Sequence, residues 1–401
     1  MREETPEIIA VRDPEAGLEG WVAIDRTVRG RAGGGLRVTP WVNAEELALL
    51  ARTMTMKYGF LGIPKGGAKA GIRFDGEKDP EKALDLLARF GRAIRPLIES
   101  RRYVPGPDMG TDEERIRHLL RSCGCLGGEG EAWRWAESGR YTAAGVVGAF
   151  REAYRTAGGD GRPTAVIEGY GAVGGNAAHM LVRSGVPVVA IATRHGAVHN
   201  GAGIDLEEWE TFLRGGGPSE LREFRGAETI GREDFLRLPV AAFLPCAIAH
   251  TIRTADAAIV GARMIVPGAN NPIEPGAGEI LESRGTIVLP DFVTNTGGIL
   301  GGALEHGGLS PDEAARRVRE AIGGAVSALL DQASRSGLTP TALAERTVLA
   351  RFERVAGAHS SPLLLFGLAL RRRGLLPRVV SRFLASAQGD RIARRARRFE
   401  T

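Results

Sequence analysis

Cysteine is scarce in this chain: Cys123, Cys125 and Cys246 are the only three in 401 residues. Three cannot build a disulfide framework, and no second Cys/His cluster completes a zinc set with Cys123 and Cys125. No metal site is expected, and the thiol content fits a reducing, cytoplasmic setting. No apolar run reaches the roughly 20 residues needed to cross a bilayer. The opening MREETPEIIAV carries three glutamates and lacks the apolar core of a signal peptide. A membrane partner is therefore not expected.

Acidic residues are thin at one end. The net charge is +5, yet residues 371–401 hold ten arginines against Asp390 and Glu400, so the rest of the chain is net −3. So basic a tail with little aromatic interleaving reads as a solvated or subunit-contacting appendage, and no nucleic-acid partner is expected. At 401 residues the chain exceeds one ordinary core, so two domains are expected.

Residues 8 to about 75 read as strand, strand, helix, strand. IIAVRDP and GWVAIDRTV alternate like half-buried strands, and Asn43 caps EELALLARTMTMKYGF with Glu46 as its capping-box partner. PEKALDLLARFGRAIRPLI reads as a second amphipathic helix. RRYVPGPDMG reads as a strand entering a turn, and Thr111 with Glu114 as the cap of the next helix. After Tyr141 the apolar runs TAVIE, PVVAIA, PVAAFLP, RMIVP and TIVLP alternate with helical sequence. That rhythm implies an α/β fold, a parallel sheet with helices on both faces, doubly wound in the Rossmann manner. The expected division is 1–138 for a first α/β domain and 139–334 for a dinucleotide-binding domain, with a cleft between them. Helices at about 335–357 return to the first domain, and 358–401 form a basic helical extension.

TAVIEGYGAVGGNAAHMLVRSG is strand, glycine turn and helix, with Gly169, Gly171 and Gly174 in G-x-G-x-x-G register. Gly169 permits the tight turn, Gly171 lets backbone approach a pyrophosphate, and Gly174 lets the helix pack close. Phosphates would then meet amides at a helix N-terminus. Tyr170, Ala172 and Val173 complete the cofactor-binding turn. Alone the motif is weak; the strand before it and the helix after it supply its context. An NAD site ends its second strand in an acid that binds the ribose 2′-hydroxyl. PVVAIATRHG ends instead in Thr193, 19 residues past Gly174, followed by Arg194 and His195. A missing carboxylate beside a cation favours NADP, with NAD the alternative if Arg194 points into solvent.

TMTMKYGFLGIPKGGAKAGI sets Lys57, Lys65 and Lys69 among glycines between apolar segments. Crowding and burial both disfavour the charged form of a lysine, moving it toward neutrality, where it serves as a base. An exposed basic loop would have the same composition. The second element, VPGPDMGTDEERIRHLL, places Asp108 in a turn held by proline and glycine. Beside a lysine cluster and a dinucleotide fold, such an aspartate becomes a candidate proton shuttle rather than a mere turn former.

These segments resemble the glutamate/leucine/phenylalanine/valine dehydrogenase family from about residue 8 to about residue 356. RDPEAGLEGWVAIDRTVRGRAGGGLR is closest to the leucine dehydrogenase branch. MTMKYGFLGIPKGGAKAGI matches the family's active-site signature, and PGPDMGT its aspartate motif. EGYGAVGGNAA, LPCAIAHTI, PGANNPI and PDFVTNTGG follow in the second domain. The resemblance implies an NAD- or NADP-dependent oxidative deamination of an L-amino acid to a 2-oxo acid and ammonium. It implies that Lys69 activates water, Asp108 passes protons and Lys57 binds the α-carboxylate. Gly34 and Gly35 would line the substrate pocket, and Asn270 and Asn295 would steer substrate. Thr142, Cys246, Ala247 and Asn270 would join the cofactor site. Relatives assemble as hexamers or octamers, so a homo-oligomer built through the first domain is implied.

Departures bear on specificity. Glutamate-specific members carry a lysine where this chain has Gly33 and a serine where it has Gly302, and both hold the side-chain carboxylate. Without them a buried carboxylate would stand unpaired, so a bulky apolar or aromatic amino acid is expected, with an acidic one as the alternative. Lys65 replaces an aromatic or aliphatic residue; it would either depress Lys69 further or bind an acidic group. The tail beyond about 358 lies outside the resemblance, with a subunit contact expected and a membrane-surface contact the second reading. A catalytically inactive nucleotide-sensing relative is the rival from another class; the trio Lys57, Lys69 and Asp108 speaks against it.

Overall fold

The computed structural model describes residues 5–125, 137–216, 221–357 and 389–396. The first half forms strands β1 (Glu7–Asp13), β2 (Leu18–Ile24) and β3 (Ala32–Thr39), helix α1 (Ala44–Leu61) and strand β4 (Gly66–Arg73). Helices α2 (Pro80–Ala93) and α3 (Arg95–Glu99), strand β5 (Val104–Pro107) and helix α4 (Glu113–Ser122) follow. Helix α5 (Ser138–Thr156) leads into the second half.

The five strands lie in the order β1-β2-β4-β3-β5, with β3 parallel to both β4 and β5. β3 is a strand that the sequence reading passed over. Its glycine-rich AGGGLRVT has weak intrinsic preference, and burial between two strands decides its conformation. Alternation then sorts β4. Ala68, Ala70 and Ile72 join a core with Leu86, Leu87 and Phe90 of α2 and Leu119 of α4. Gly67, Lys69 and Gly71 therefore face α1. A Cβ on Gly67 would stand 2.2 Å from the Ala51 carbonyl oxygen, so α1 can lie this close only over glycine.

Asn43 caps α1 as expected, accepting from the Glu46 amide. The Glu46 carboxylate does not close the box; it pairs with Arg37 instead. The expected second helix is broken at Ile94 ahead of Pro96. Asp112, not Thr111, caps α4, accepting from the Arg115 amide.

The second half contains β6 (Ala165–Glu168), α6 (Ala172–Arg183), β7 (Val188–Thr193), β8 (Gly196–His199), α7 (Leu206–Arg214), β9 (Glu228–Ile230) and α8 (Arg232–Arg237). It continues through β10 (Ala242–Pro245), α9 (Thr254–Ala257), β11 (Met264–Ile265), α10 (Ala277–Ser283), β12 (Ile287–Val288) and α11 (Asp291–Thr294). Helices α12 (Gly297–His306), α13 (Pro311–Ser336) and α14 (Pro340–Gly357) follow, and residues 389–396 are helical.

The strand order is β12-β11-β10-β6-β7-β8-β9. The run from β12 to β7 is parallel, whereas β8 and β9 add antiparallel. The expected parallel sheet is there from β12 to β7, and an antiparallel edge is added to it because the four residues of β8 turn straight back on β7. Ala165 and Ile167 of β6 bury against α5, α6 and α13, while Val166 buries against α8 and α10. Helices therefore cover both faces.

α14 returns to α1: a Cβ on Gly59 would meet Val348 at 3.0 Å, and Arg26 pairs with Glu353 at 2.5 Å. Residues 389–396 also fold onto this chain, with Ile392, Ala393 and Ala396 buried in the core around α12 and α14. That part of the extension contacts its own chain; residues 358–388 and 397–401 lie outside the described residues.

Candidate active site

Lys69 reaches Asp108 directly from β4, and the two side chains form a buried ion pair. Asp108 sits one residue past β5, where Thr111 fixes its turn. The Thr111 hydroxyl accepts from the Asp108 amide at 2.9 Å and donates to the Leu36 carbonyl at 2.7 Å. Arg37, buried on β3, stands 3.5 Å from the Asp108 carboxylate and is itself held by Glu46 of α1. Burial pulls the Lys69 ammonium below its ordinary range; Asp108 opposes that and Arg37 adds to it. Burial disfavours the charge on Asp108, yet Lys69 and Arg37 outweigh it and hold this carboxyl well below its usual value.

Lys57 projects from the last turns of α1 and donates to Asn270 Oδ1 at 2.7 Å across the cleft. Burial, with Lys69 nearby, lowers Lys57 to about 8. Asn270 Oδ1 also accepts from Asn295 Nδ2 at 3.1 Å, and Asn295 donates to the Ala269 carbonyl at 2.9 Å. Asn295 Oδ1 is buried without a partner. Such an acceptor fits an N–H of a ligand. Thr53 of α1 donates to Asn271 at 3.1 Å, a second link between the two halves.

The glycine turn lies where β6 and β10 part, the switch point of the sheet. Gly169 takes φ +89°, and a Cβ there would meet Ala247 at 2.8 Å. A Cβ on Gly174 would stand 1.8 Å from the Gly169 carbonyl oxygen, whereas one on Gly171 would meet nothing within 4 Å. No side chain caps α6, so its first amides remain available to a pyrophosphate. Cys246, half-buried and with its thiol pushed up to about 12 by desolvation, sits against Gly268 and Val173 beside the turn. These residues fit a dinucleotide.

A family profile described as Glutamate/Leucine/Phenylalanine/Valine dehydrogenase matches residues 137–361, and one described as Glu/Leu/Phe/Val dehydrogenase, dimerisation domain, matches residues 6–123. The chain belongs to this dehydrogenase family. It is an amino-acid dehydrogenase that uses a nicotinamide cofactor. It is 32% identical over 303 residues to the NADP(+)-dependent glutamate dehydrogenase of Pyrobaculum calidifontis, covering 72% of each chain. It shares the fold of the hetero-hexameric glutamate dehydrogenase of Thermus thermophilus in its Leu bound form, with TM-score 0.71, 24% identity and coverage of 93% and 90%. The L-tryptophan dehydrogenase of Nostoc punctiforme aligns with TM-score 0.60 at 22% identity, over 88% of this chain and 96% of that one.

In this dehydrogenase, Lys57, Lys69, Asp108, Asn270 and Asn295 converge on one cleft. A Cβ on Gly35 would touch Asp108 at 2.7 Å, whereas Gly34 packs backbone to backbone against Ala68. Ala247 meets the glycine turn, but the Tyr170 hydroxyl is drawn away to Glu210 at 3.1 Å, and the Thr142 hydroxyl is spent on the Ser138 carbonyl at 2.9 Å. Thr193 ends β7 as expected. Arg194 is exposed and donates to the His195 ring at 3.0 Å. Arg37, Glu46 and Thr111 were missed. Arg37 lay in the unread strand, and the threonine three residues past Asp108 was the available signal for Thr111. The leading charges acting on Lys69 are Asp108, Arg37 and Glu46; Lys65 is not among them.

Proposed function

We propose that this dehydrogenase removes the α-amino group of an L-amino acid as ammonium and leaves a 2-oxo acid, in a reaction that runs both ways. The buried Lys69–Asp108 pair, with Lys57 and Asn270 beside it, is the observation that carries this reading. Lys57 holds the α-carboxylate by charge-assisted hydrogen bonds, and the unpartnered Asn295 Oδ1 accepts from the amino group. The turn at Gly169, Gly171 and Gly174 would hold a nicotinamide dinucleotide, which would supply the hydride acceptor for the substrate Cα. Neutral Lys69 removes a proton from water as its oxygen bonds to the iminium carbon. Asp108 passes that proton from Lys69 to the nitrogen. Lys69, neutral again, takes the proton of the new hydroxyl as the carbonyl forms and the C–N bond breaks, and the ammonia leaves with that proton as ammonium.

The absence of an acid at Thr193 supports NADP, whereas Arg194, exposed and bonded to the His195 ring, adds nothing to it and keeps NAD as the alternative. The division near residue 138 separates the domain that holds substrate from the one that holds cofactor. Assembly of identical subunits as a hexamer or octamer completes the reading. The expected bulky apolar or aromatic substrate rests on two glycines, and only one of them leaves the room it needs, so an acidic substrate becomes the favoured reading. At Gly302 a Cβ would meet nothing within 4 Å, which supports the apolar substrate; at Gly33 the space is filled by Lys65.

The test is a panel of L-amino acids with NADP and NAD, followed by absorbance of the reduced cofactor. Lys69→Ala should lose at least about 1,000-fold in kcat. Turnover at the parent rate by that variant would overturn the reading.

A further inference from the structure

Gly33, Gly35 and Arg37 alternate along β3 and so share one face, spaced about 7 Å apart. The register of that face is set by its neighbours: Gly35 lies against Asp108, and Arg37 reaches the same carboxylate. At Gly33, two residues along, a Cβ would stand 2.2 Å from Lys65 Nζ and 2.3 Å from Lys65 Cε. The ammonium of Lys65 therefore occupies the space that a side chain at position 33 would fill, one step along the strand from the catalytic carboxylate.

Among the described residues no carboxylate pairs with the Lys65 ammonium; it stands over the face of Tyr58, with Nζ 5.3 Å from the ring centroid. Burial, with the nearby cation of Arg101 adding to it, lowers this ammonium to about 8. Among the described residues this half-buried ammonium, near a cation and over an aromatic ring, has no anion to offset its desolvation. The loop that presents it is held rather than free: Gly62 ends α1 at φ +62°, and the Lys65 amide bonds the Ile63 carbonyl at 2.8 Å.

Resting on the deamination reading, we propose that Lys65 is a specificity-determining residue that binds a carboxylate on the substrate side chain. The preferred substrate is then an acidic L-amino acid. Lys57 and Lys65 divide the two carboxylates between them, the first near Asn270 and the second beside Gly33. The cation arrives from the loop before β4 rather than from β3, so position 33 must stay glycine. Replacing the ammonium leaves a desolvated carboxylate without its partner, a loss of at least about 30-fold in kcat/KM.

The experiment compares kcat/KM for L-aspartate, L-glutamate and L-2-aminoadipate with L-leucine and L-phenylalanine. In the parent, one acidic substrate should exceed both apolar ones by at least about 30-fold. Lys65→Ala should shift the acidic-to-apolar ratio down by a similar factor. Adding Gly33→Lys to Lys65→Ala should restore it, because with the Lys65 chain gone the nearest obstacle is the Val104 carbonyl oxygen at 3.1 Å. Glutarate has no amino group to remove, so calorimetric binding to the full chain reads Lys65 apart from turnover. Binding lost in Lys65→Ala, with unchanged thermal unfolding, supports the assignment. Equal glutarate binding with and without Lys65, or a parent that favours leucine or phenylalanine, overturns it. The deamination reading fails separately, on undiminished turnover by Lys69→Ala.

Discussion

Asp108 is positioned by a residue that does not touch the chemistry. Thr111 ties the Asp108 amide to the Leu36 carbonyl through one hydroxyl, locking the turn to β3. Thr111→Val keeps the volume but removes both bonds, so the carboxylate drifts from Lys69. Displacement of about 1 Å costs up to about 100-fold in rate. Thr111→Val should therefore lower kcat by roughly 10- to 100-fold with little change in KM, whereas Thr111→Ser should recover most of the activity.

Lys57 sets the pH behaviour at the same scale. It must be protonated to hold a carboxylate, and its folded value of about 8 lies below the ordinary 10.5. Substrate capture is thus intact below pH 8 and weakens as pH rises through it. Lys69, lowered by burial, must be neutral to accept a proton from water, so its own titration contributes an acid limb. A profile of kcat/KM against pH should be bell-shaped. Lys57→Gln should lower its height and erase the fall beginning near pH 8, and a persistent fall there would assign that limb to another group.

At the scale of elements, the C-terminus of α1 is gripped by the end of the chain. Arg395 donates to the Gly62 carbonyl at 3.0 Å, and Arg351 of α14 donates to the Phe60 carbonyl at 2.8 Å and the Arg395 carbonyl at 3.2 Å. These bonds satisfy carbonyls that a helix end leaves orphaned. They also brace the loop that carries Lys65 toward β4. Arg395→Ala should cost about 1 to 3 kcal/mol of stability in denaturant titration. The loss should be accompanied by a larger rise in KM than fall in kcat. An unchanged unfolding midpoint would show that the bond is idle.

For the whole molecule, catalysis depends on two halves meeting. Lys57 and Thr53 of α1 bond Asn270 and Asn271 from the other half, and α14 crosses back to α1. The mass in solution tests the proposed assembly. Light scattering should report a hexamer or octamer of the 42.7 kDa chain, and a monomer that is fully active would refute the need for assembly.

Much of this protein could be read from local chemistry. The Asn43 cap, the strand–glycine–helix unit around Gly169, and the lysine and aspartate segments all carry their meaning in short-range patterns. Backbone conformation and periodicity depend on near neighbours, so these survive without tertiary knowledge. The glycine-rich strand β3 could not be read, because its extended form comes from β4 and β5 on either side. Thr111 turned inward to Asp108 rather than capping α4, since a buried carbonyl of β3 competed for its hydroxyl. Lys65 shows the limit most clearly. That position 33 lacks a side chain is a fact of sequence, but that a lysine thirty-two residues later fills the space is decided only by packing. Chain distance carries no information about which side chains share a volume.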